Sequence, residues 1–133
     1  MPRRSKDFYR GISFQPPGPV AAAARRALDR RAQQTPSNRG MTPVGLARAR
    51  QLANRQELSP ATIDRMVSYF ARHAIDKRGS SWDAYGKGRQ AWDGWGGDPG
   101  QRWANGVARQ MNAAERTNDR TTSTTRRRQQ RSG

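Results

Sequence analysis

The feature that most constrains the fold is a helix-start signal that occurs three times along the chain. In each case a side chain with an oxygen acceptor stands directly before proline: Thr42-Pro43, Ser59-Pro60 and Asp98-Pro99. Such a side chain can accept a hydrogen bond from the first helical turn, and proline suits that turn because its missing N–H would be unpaired there. The three pairs therefore predict three helices.

Apolar spacing supports each of these helices. The first carries Val44, Leu46, Ala47 and Leu52 and is predicted to end near Ala53. In the second, Leu58 and Ile63 occupy the positions of a hydrophobic staple, and Met66, Val67, Phe70 and Ala74 follow at helical spacing. Lys77, Arg78 and Gly79 should end this helix, since cations favour the last turn and glycine the position beyond it.

The third helix is predicted to begin with a capping box from Asp98 to Gln101, in which Asp98 is the N-cap. Its apolar stripe consists of Trp103, Val107, Met111 and Ala114. A shorter helix is expected from about Arg89 to Trp95, and Gly96 and Gly97 should form the corner between the two. We find no alternation typical of a strand.

Apolar residues are unevenly distributed, which divides the chain into a core and two arms. Hydrophobic residues make up 32% of the chain, below the roughly 45–50% of an average globular domain. Seven of the ten aromatic residues lie between positions 69 and 103, and residues 117–133 contain no apolar side chain. We therefore predict a mostly α fold, with a small domain of three to four short helices over residues 41–115.

The two flanking segments, residues 1–40 and 116–133, are predicted to be basic arms that are disordered or ordered only by a partner. The first contains an Ala-rich helix near residues 19–34, with Pro19 in its first turn. The apolar face of this helix is thin, since it consists of Val20, Ala24, Ala27 and Leu28. We expect such a helix to be only partly ordered on its own.

The charge of the chain predicts a polyanionic partner. The formal net charge is +16, from 26 basic and 10 acidic residues, and 12 of these net charges fall in the two arms. Only three of the basic residues are lysine, and arginine binds phosphate through a planar, two-pronged set of donors. The predicted phosphate-binding residues are eleven of the arginines in the arms: Arg3, Arg4, Arg25, Arg26, Arg30, Arg31, Arg120, Arg126, Arg127, Arg128 and Arg131. A merely solubilising role for the tail is the alternative.

Enzymatic activity is not expected. The chain has no cysteine and one histidine, His73, with no acidic pair at metal-binding spacing from it, so a zinc site is not expected. The carboxylates are scattered and form no recognisable acid/base pair with a nucleophile. We predict no metal and no cofactor. The longest apolar stretch, Val20 to Ala24, is too short to cross a bilayer, and no signal peptide or membrane association is expected.

Two motifs allow more than one interpretation. The glycine-rich run from Gly94 to Gly100 could in principle cradle phosphate, but no strand precedes it and the Asp98 carboxylate would repel an anion. A tight corner between two helices is the simpler interpretation. The four tryptophans, Trp82, Trp92, Trp95 and Trp103, could stack nucleic-acid bases. More often such a cluster is the core of a small domain, and one ring could still be exposed.

Three stretches of the chain resemble a small module found in proteins of tailed bacteriophages, including cyanophages. They are VGLARARQLAN (residues 44–54), LSPATIDRMVSYFARHAIDK (58–77) and GKGRQAWDGWGGDPGQRWA (86–104). In that module an acidic residue commonly follows the histidine, whereas this chain has Ala74. The resemblance implies a phage-encoded protein and carries no catalytic residue.

Together these observations predict a virion-associated structural protein, present in the host cytoplasm before assembly. Its helical core would dock on other virion structural proteins. Its arginines would contact DNA phosphates, without sequence preference, or an acidic capsid surface. The alternative is a freestanding, sequence-nonspecific DNA-binding protein that acts in the infected cell.

Overall fold

The computed structural model describes the backbone of residues 2–132 and the side chains of residues 2–121. Within this range the chain forms five α-helices and no strand, which confirms the mostly α prediction. The helices are α1 (Gly18–Ala32), α2 (Pro43–Ala53), α3 (Pro60–His73), α4 (Lys87–Gly94) and α5 (Gly97–Ser132). Short 3₁₀ turns span Lys6–Tyr9, Pro36–Asn38 and Ala74–Arg78.

Two of the three predicted caps are confirmed. The Thr42 hydroxyl accepts a hydrogen bond from the N–H of Gly45 at 3.1 Å, and the Ser59 hydroxyl accepts one from Thr62 at 3.1 Å. Each bond pairs an N–H group that a first helical turn would otherwise leave unpaired. The staple residues Leu58 and Ile63 are both buried. Local chemistry therefore fixes where α2 and α3 begin.

The prediction of a separate N-terminal arm over residues 1–40 is wrong. Tyr9, Phe14 and Val20 are among the most deeply buried side chains, and α1 packs against α2, α4 and α5. The alanine face of α1 is enough for this packing because small side chains let helix axes approach closely. Ala24 and Ala27 have no exposed surface at all. The core of the protein thus begins well before residue 41.

The linker between α1 and α2 is also held in place. The side chain of Gln90 on α4 is completely buried. Its amide nitrogen donates to the carbonyl groups of Asn38 and Tyr85, and its amide oxygen accepts from the N–H of Gly40 at 2.8 Å. A buried amide with its hydrogen bonds satisfied fixes the backbone around it, because leaving those groups unpaired would be costly.

Helix α5 extends beyond the predicted end of the core. The sequence predicts a disordered tail from residue 116, whereas the backbone continues as helix to Ser132. Every side chain from Arg116 to Thr121 is exposed, so this part of α5 adds little to the core. A helix already formed by its docked half can extend without a new nucleus, which is the costly step in helix formation.

Candidate polyanion-binding surface

The structure places most of the predicted N-terminal arginines in structural contacts. Arg3 makes a two-pronged ion pair with Asp64 on α3, at 2.8 and 3.0 Å, and reaches Glu115 on α5 at 2.8 Å. The hydrogen bond to Asp64 is the main reason that the pKa of Arg3 is raised. Tyr9 donates to the other oxygen of Glu115. Arg3 thus joins the N-terminal segment to α3 and α5, and its role as a phosphate ligand stays a prediction for a side chain that is already engaged.

Three further arginines support the fold through α1. Arg25 donates to the carbonyl of Ala53 at 2.9 Å, Arg31 donates to the carbonyl of Gly40 at 2.7 Å, and the Arg30 guanidinium lies 4.3 Å from the centre of the Tyr85 ring. The first two bonds pair carbonyl groups at the end of α2 and in the linker. These side chains therefore have a packing role that the charge pattern alone did not reveal.

Arg4, Arg26 and Arg120 are exposed. Arg4 lies over the Phe8 ring at 4.6 Å. Arg26 and Arg120 make no ion pair and no side-chain hydrogen bond with the residues described, so their guanidinium groups can meet an external anion. The remaining four predicted residues lie outside the described side chains: Arg126, Arg127, Arg128 and Arg131.

A row of exposed arginines runs along α5. Its members are exposed, and they are Arg102, Arg109, Arg116 and Arg120. Residues seven apart on an α-helix differ by only about 20° in direction, so the first three lie along one line, and Arg120 follows one turn later. The buried side of α5 is lined by Ala104, Val107, Ala108 and Met111. At about 100° per residue, the arginine row lies opposite that buried side.

The arginine row is about 27 Å long from Arg102 to Arg120, at 1.5 Å per residue. Its four side chains form no ion pair with any described residue. Of the nearby acids on α5, Glu115 pairs with Arg3, and Asp98, four residues before Arg102, pairs with Lys77. The same spacing continues in the sequence at Arg127 and Arg131.

Sequence reasoning missed two members of this row, Arg102 and Arg109. They lie inside the predicted core, whereas Arg116 is the first residue of the predicted C-terminal arm. The signal that could have found them is their seven-residue spacing, which places side chains on one face of a helix. The predicted end of that helix, near residue 115, hid the continuation to Arg120.

Asp98 does not cap α5, so this prediction is wrong. The helix begins at Gly97, and the N–H of Gly100 donates to the carbonyl of Gly96. The Asp98 carboxylate instead accepts hydrogen bonds from Lys77 at 2.7 Å and from the Trp92 indole at 2.9 Å. The bond from Lys77 is the main reason that the pKa of Asp98 is lowered. The carboxylate therefore ties the end of α3 and α4 to the start of α5.

The glycine pair makes the predicted corner. Gly96 and Gly97 have φ values of +110° and +65°, a region that favours glycine. A Cβ atom on Gly96 would lie 2.8 Å from a methyl group of Val20, so this corner also gives α1 room to dock. With Asp98 already occupied by two donors, the run provides a helix junction, as the simpler interpretation predicted.

The tryptophans form part of the core. Trp92 is 1% exposed and Trp95 is 9% exposed, while Trp82 and Trp103 are partly buried against the same cluster. Trp82 meets Trp92 edge to face, with ring centres 6.0 Å apart. The faces of Trp95 are covered by the Tyr69 ring and the Arg48 guanidinium. These contacts favour the core interpretation over base stacking.

Comparison with known proteins adds no relative. No family model matches the chain, and neither a curated protein nor a solved structure is significantly similar to it. The resemblance to tailed-phage modules therefore stays a prediction. Among the described residues, no helix combines the length and hydropathy that crossing a bilayer requires, and no group of three His, Cys, Asp or Glu side chains converges as a metal site would.

Proposed function

We propose that this protein is a non-enzymatic structural component of a tailed-phage virion. Its helical unit docks on other virion subunits, and its arginines contact DNA phosphates or an acidic capsid surface. The observation that carries the proposal is the arginine row of α5, because four exposed guanidinium groups without ion partners in the described structure lie in line on one helix. The resemblance of residues 44–54, 58–77 and 86–104 to phage modules implies a phage-encoded protein, and a virion role is our proposal from that origin.

The arginine row suits a phosphate backbone better than a base sequence. Its members are about 6 to 10 Å apart along α5, whereas duplex DNA offers one charge per about 1.7 Å of its axis. Arginines spaced in this way can each reach a phosphate without a fixed register. Phosphate contacts carry affinity and position the protein, but they do not read sequence. Binding is therefore expected to be nearly indifferent to sequence.

A salt titration tests the phosphate contacts. We expect the full chain to bind a duplex with an association constant that falls steeply as salt rises. Changing the row to glutamine at all four positions should flatten the log–log slope by about three to four units, at about 0.9 per phosphate. The matched control changes four exposed arginines on other elements: Arg10, Arg50, Arg65 and Arg78. Equal losses for the two variants would show that total charge matters and that the row does not.

The freestanding DNA-binding protein is the second candidate, since the same row would serve it. The two functions differ in where the protein is found. Mass spectrometry of purified virions should detect the chain at a fixed ratio to the major capsid protein if the structural role is right. Detection only in the infected-cell lysate would favour the freestanding role.

A further inference from the structure

A second surface, unrelated to the arginine row, is a groove between the start of α2, the outer side of α3 and α4. Its volume is about 960 Å³, near the upper end of the roughly 300–1,000 Å³ typical of small-molecule pockets. Along α3 and the 3₁₀ turn that follows it, the lining extends from Asp64 to Asp76, which is about 18 Å. A groove of this length is large enough for a segment of polypeptide.

The inner wall of the groove is aromatic. Tyr69 stacks on Trp95 with ring centres 4.5 Å apart and planes 8° from parallel, and His73 stacks on the other face of Tyr69 at 4.5 Å. Tyr69 is 6% exposed, and its hydroxyl has no hydrogen-bond partner among the described residues. Burial raises the pKa of this hydroxyl, so it remains an O–H donor at neutral pH. A buried donor without a partner is unusual in a folded protein.

The rim of the groove is cationic. Arg65, Arg72 and Lys87 line it, are exposed, and form no ion pair with any described residue. The two acids of the lining are already engaged, since Asp64 pairs with Arg3 and Asp76 pairs with His73 at 3.1 Å. The rim therefore presents net positive charge to an incoming partner.

Two apolar side chains at the start of α2 complete the surface. Val44 at the start of α2 is 61% exposed, although sequence spacing placed it on the apolar side of that helix. Met41 lines the groove next to it with a φ of +70°, a strained value for a residue other than glycine. Methionine, tyrosine, tryptophan and arginine are the residue types enriched at protein–protein interfaces.

We propose that this groove docks an acidic polypeptide segment that carries aliphatic side chains on one face. The aliphatic side chains would pack on Val44, Met41 and the edge of the aromatic wall, while the acidic ones would pair with Arg65, Arg72 and Lys87. An amphipathic helix in a groove is a common mode of recognition, and complementary charge guides it. The inference deepens the proposed function, on which it rests, because it names the docking surface and the chemistry of the partner.

The probe is a fluorescent synthetic peptide of about 16 residues, roughly 24 Å as a helix, with leucine at helical spacing and glutamate elsewhere. A second peptide has serine in place of each leucine. Anisotropy titrations use the full chain at about 0.15 M salt, where diffuse charge attraction is screened beyond about 8 Å. We expect the leucine peptide to bind at least roughly tenfold more tightly than the serine peptide, a difference of about 1.4 kcal/mol.

Matched variants locate the site. Val44→Asp and Arg72→Glu should each weaken binding of the leucine peptide about tenfold or more. The controls are Ile75→Asp, at the other strongly exposed apolar residue, and Arg109→Glu on the arginine row. Both controls should bind the peptide within about twofold of the parent chain, since surface changes away from an interface have small effects. All four positions are exposed, so the fold is expected to survive.

Three outcomes would overturn the proposal: equal affinity for the two peptides, equal losses in the test and control variants, or loss of duplex binding on Val44→Asp. The last would make the groove a nucleic-acid site. The proposed function fails separately. Arg109→Glu should weaken duplex binding and leave peptide binding unchanged. If the protein is absent from virions, or if duplex binding does not depend on salt, the proposed function fails, but the peptide titrations still test the groove.

Discussion

The two ends of the chain are alike in charge and opposite in structure. Residues 1–40 carry a net charge of +7 and residues 116–133 carry +5. The first segment supplies Tyr9, Phe14 and much of α1 to the core, whereas every described side chain from Arg116 onward is exposed. High positive charge therefore does not by itself keep a segment out of a fold.

The difference lies in what accompanies the arginines. The N-terminal segment has three aromatic residues and an alanine face that can be buried, and Arg3, Arg25 and Arg31 find acceptors once it docks. The residues after 116 have no apolar side chain to bury. Burial of apolar surface supplies most of the driving force for docking, and paired arginines then remove the cost of placing charge nearby.

The strongest test of this comparison is deletion of residues 1–40. The remaining chain should lose its cooperative thermal transition, because the faces of α2, α4 and α5 that α1 covers would be exposed. Each large core side chain contributes about 2–5 kcal/mol, and a small domain has about 5–15 kcal/mol in total. Far-ultraviolet circular dichroism during heating measures the effect.

Adding residues 1–40 back as a separate peptide is the control for this deletion. Recovery of a cooperative transition would show that the deleted segment acts by packing. If the fragment that begins at residue 41 melted cooperatively without the peptide, the core would be independent of the N-terminal segment, and the comparison between the two ends would fail.

Truncation of one buried side chain, Phe14, should also lower the stability of the fold. Phe14 is 2% exposed in the core next to Tyr9. We expect Phe14→Ala to lower the free energy of unfolding by about 3–5 kcal/mol, the usual cost of removing a buried phenyl ring. Ile75→Ala is the control, because Ile75 is 70% exposed and its loss should cost less than about 0.5 kcal/mol. Urea denaturation compares the two, and a loss below about 1 kcal/mol for Phe14→Ala would contradict the buried N-terminal segment.

What the sequence predicts well is local. The Thr42 and Ser59 caps depend on residues within three positions of each other, so they were found from sequence alone. The Asp98 signal has the same form, but two distant donors, Lys77 and Trp92, bind its carboxylate instead. A capping pattern indicates that a side chain can accept a hydrogen bond from the first helical turn. Whether that bond forms depends on the other donors that the fold brings to the same side chain.

The docking of α1 and the presence of the groove could not be predicted from the sequence, because both depend on tertiary contacts. An alanine face is a weak signal, because alanine contributes little apolar area, and its value depends on how closely another helix can approach. The groove unites Met41, Tyr69 and Trp95, which are far apart in sequence. The arginine row, by contrast, can be seen in its spacing once α5 is known to continue past residue 115.

The smallest expected effect on stability completes the comparison. Deletion of residues 122–133 should change the free energy of unfolding by less than about 0.5 kcal/mol, since every side chain of residues 116–121 before it is exposed. The same deletion removes Arg126, Arg127, Arg128 and Arg131, so the salt slope of duplex binding should flatten by up to about 3.6 units. Urea denaturation and a salt titration on one preparation measure both quantities.

A loss of stability above about 1 kcal/mol would mean that the tail packs as the N-terminal segment does. An unchanged slope would confine the phosphate contacts to residues before 122.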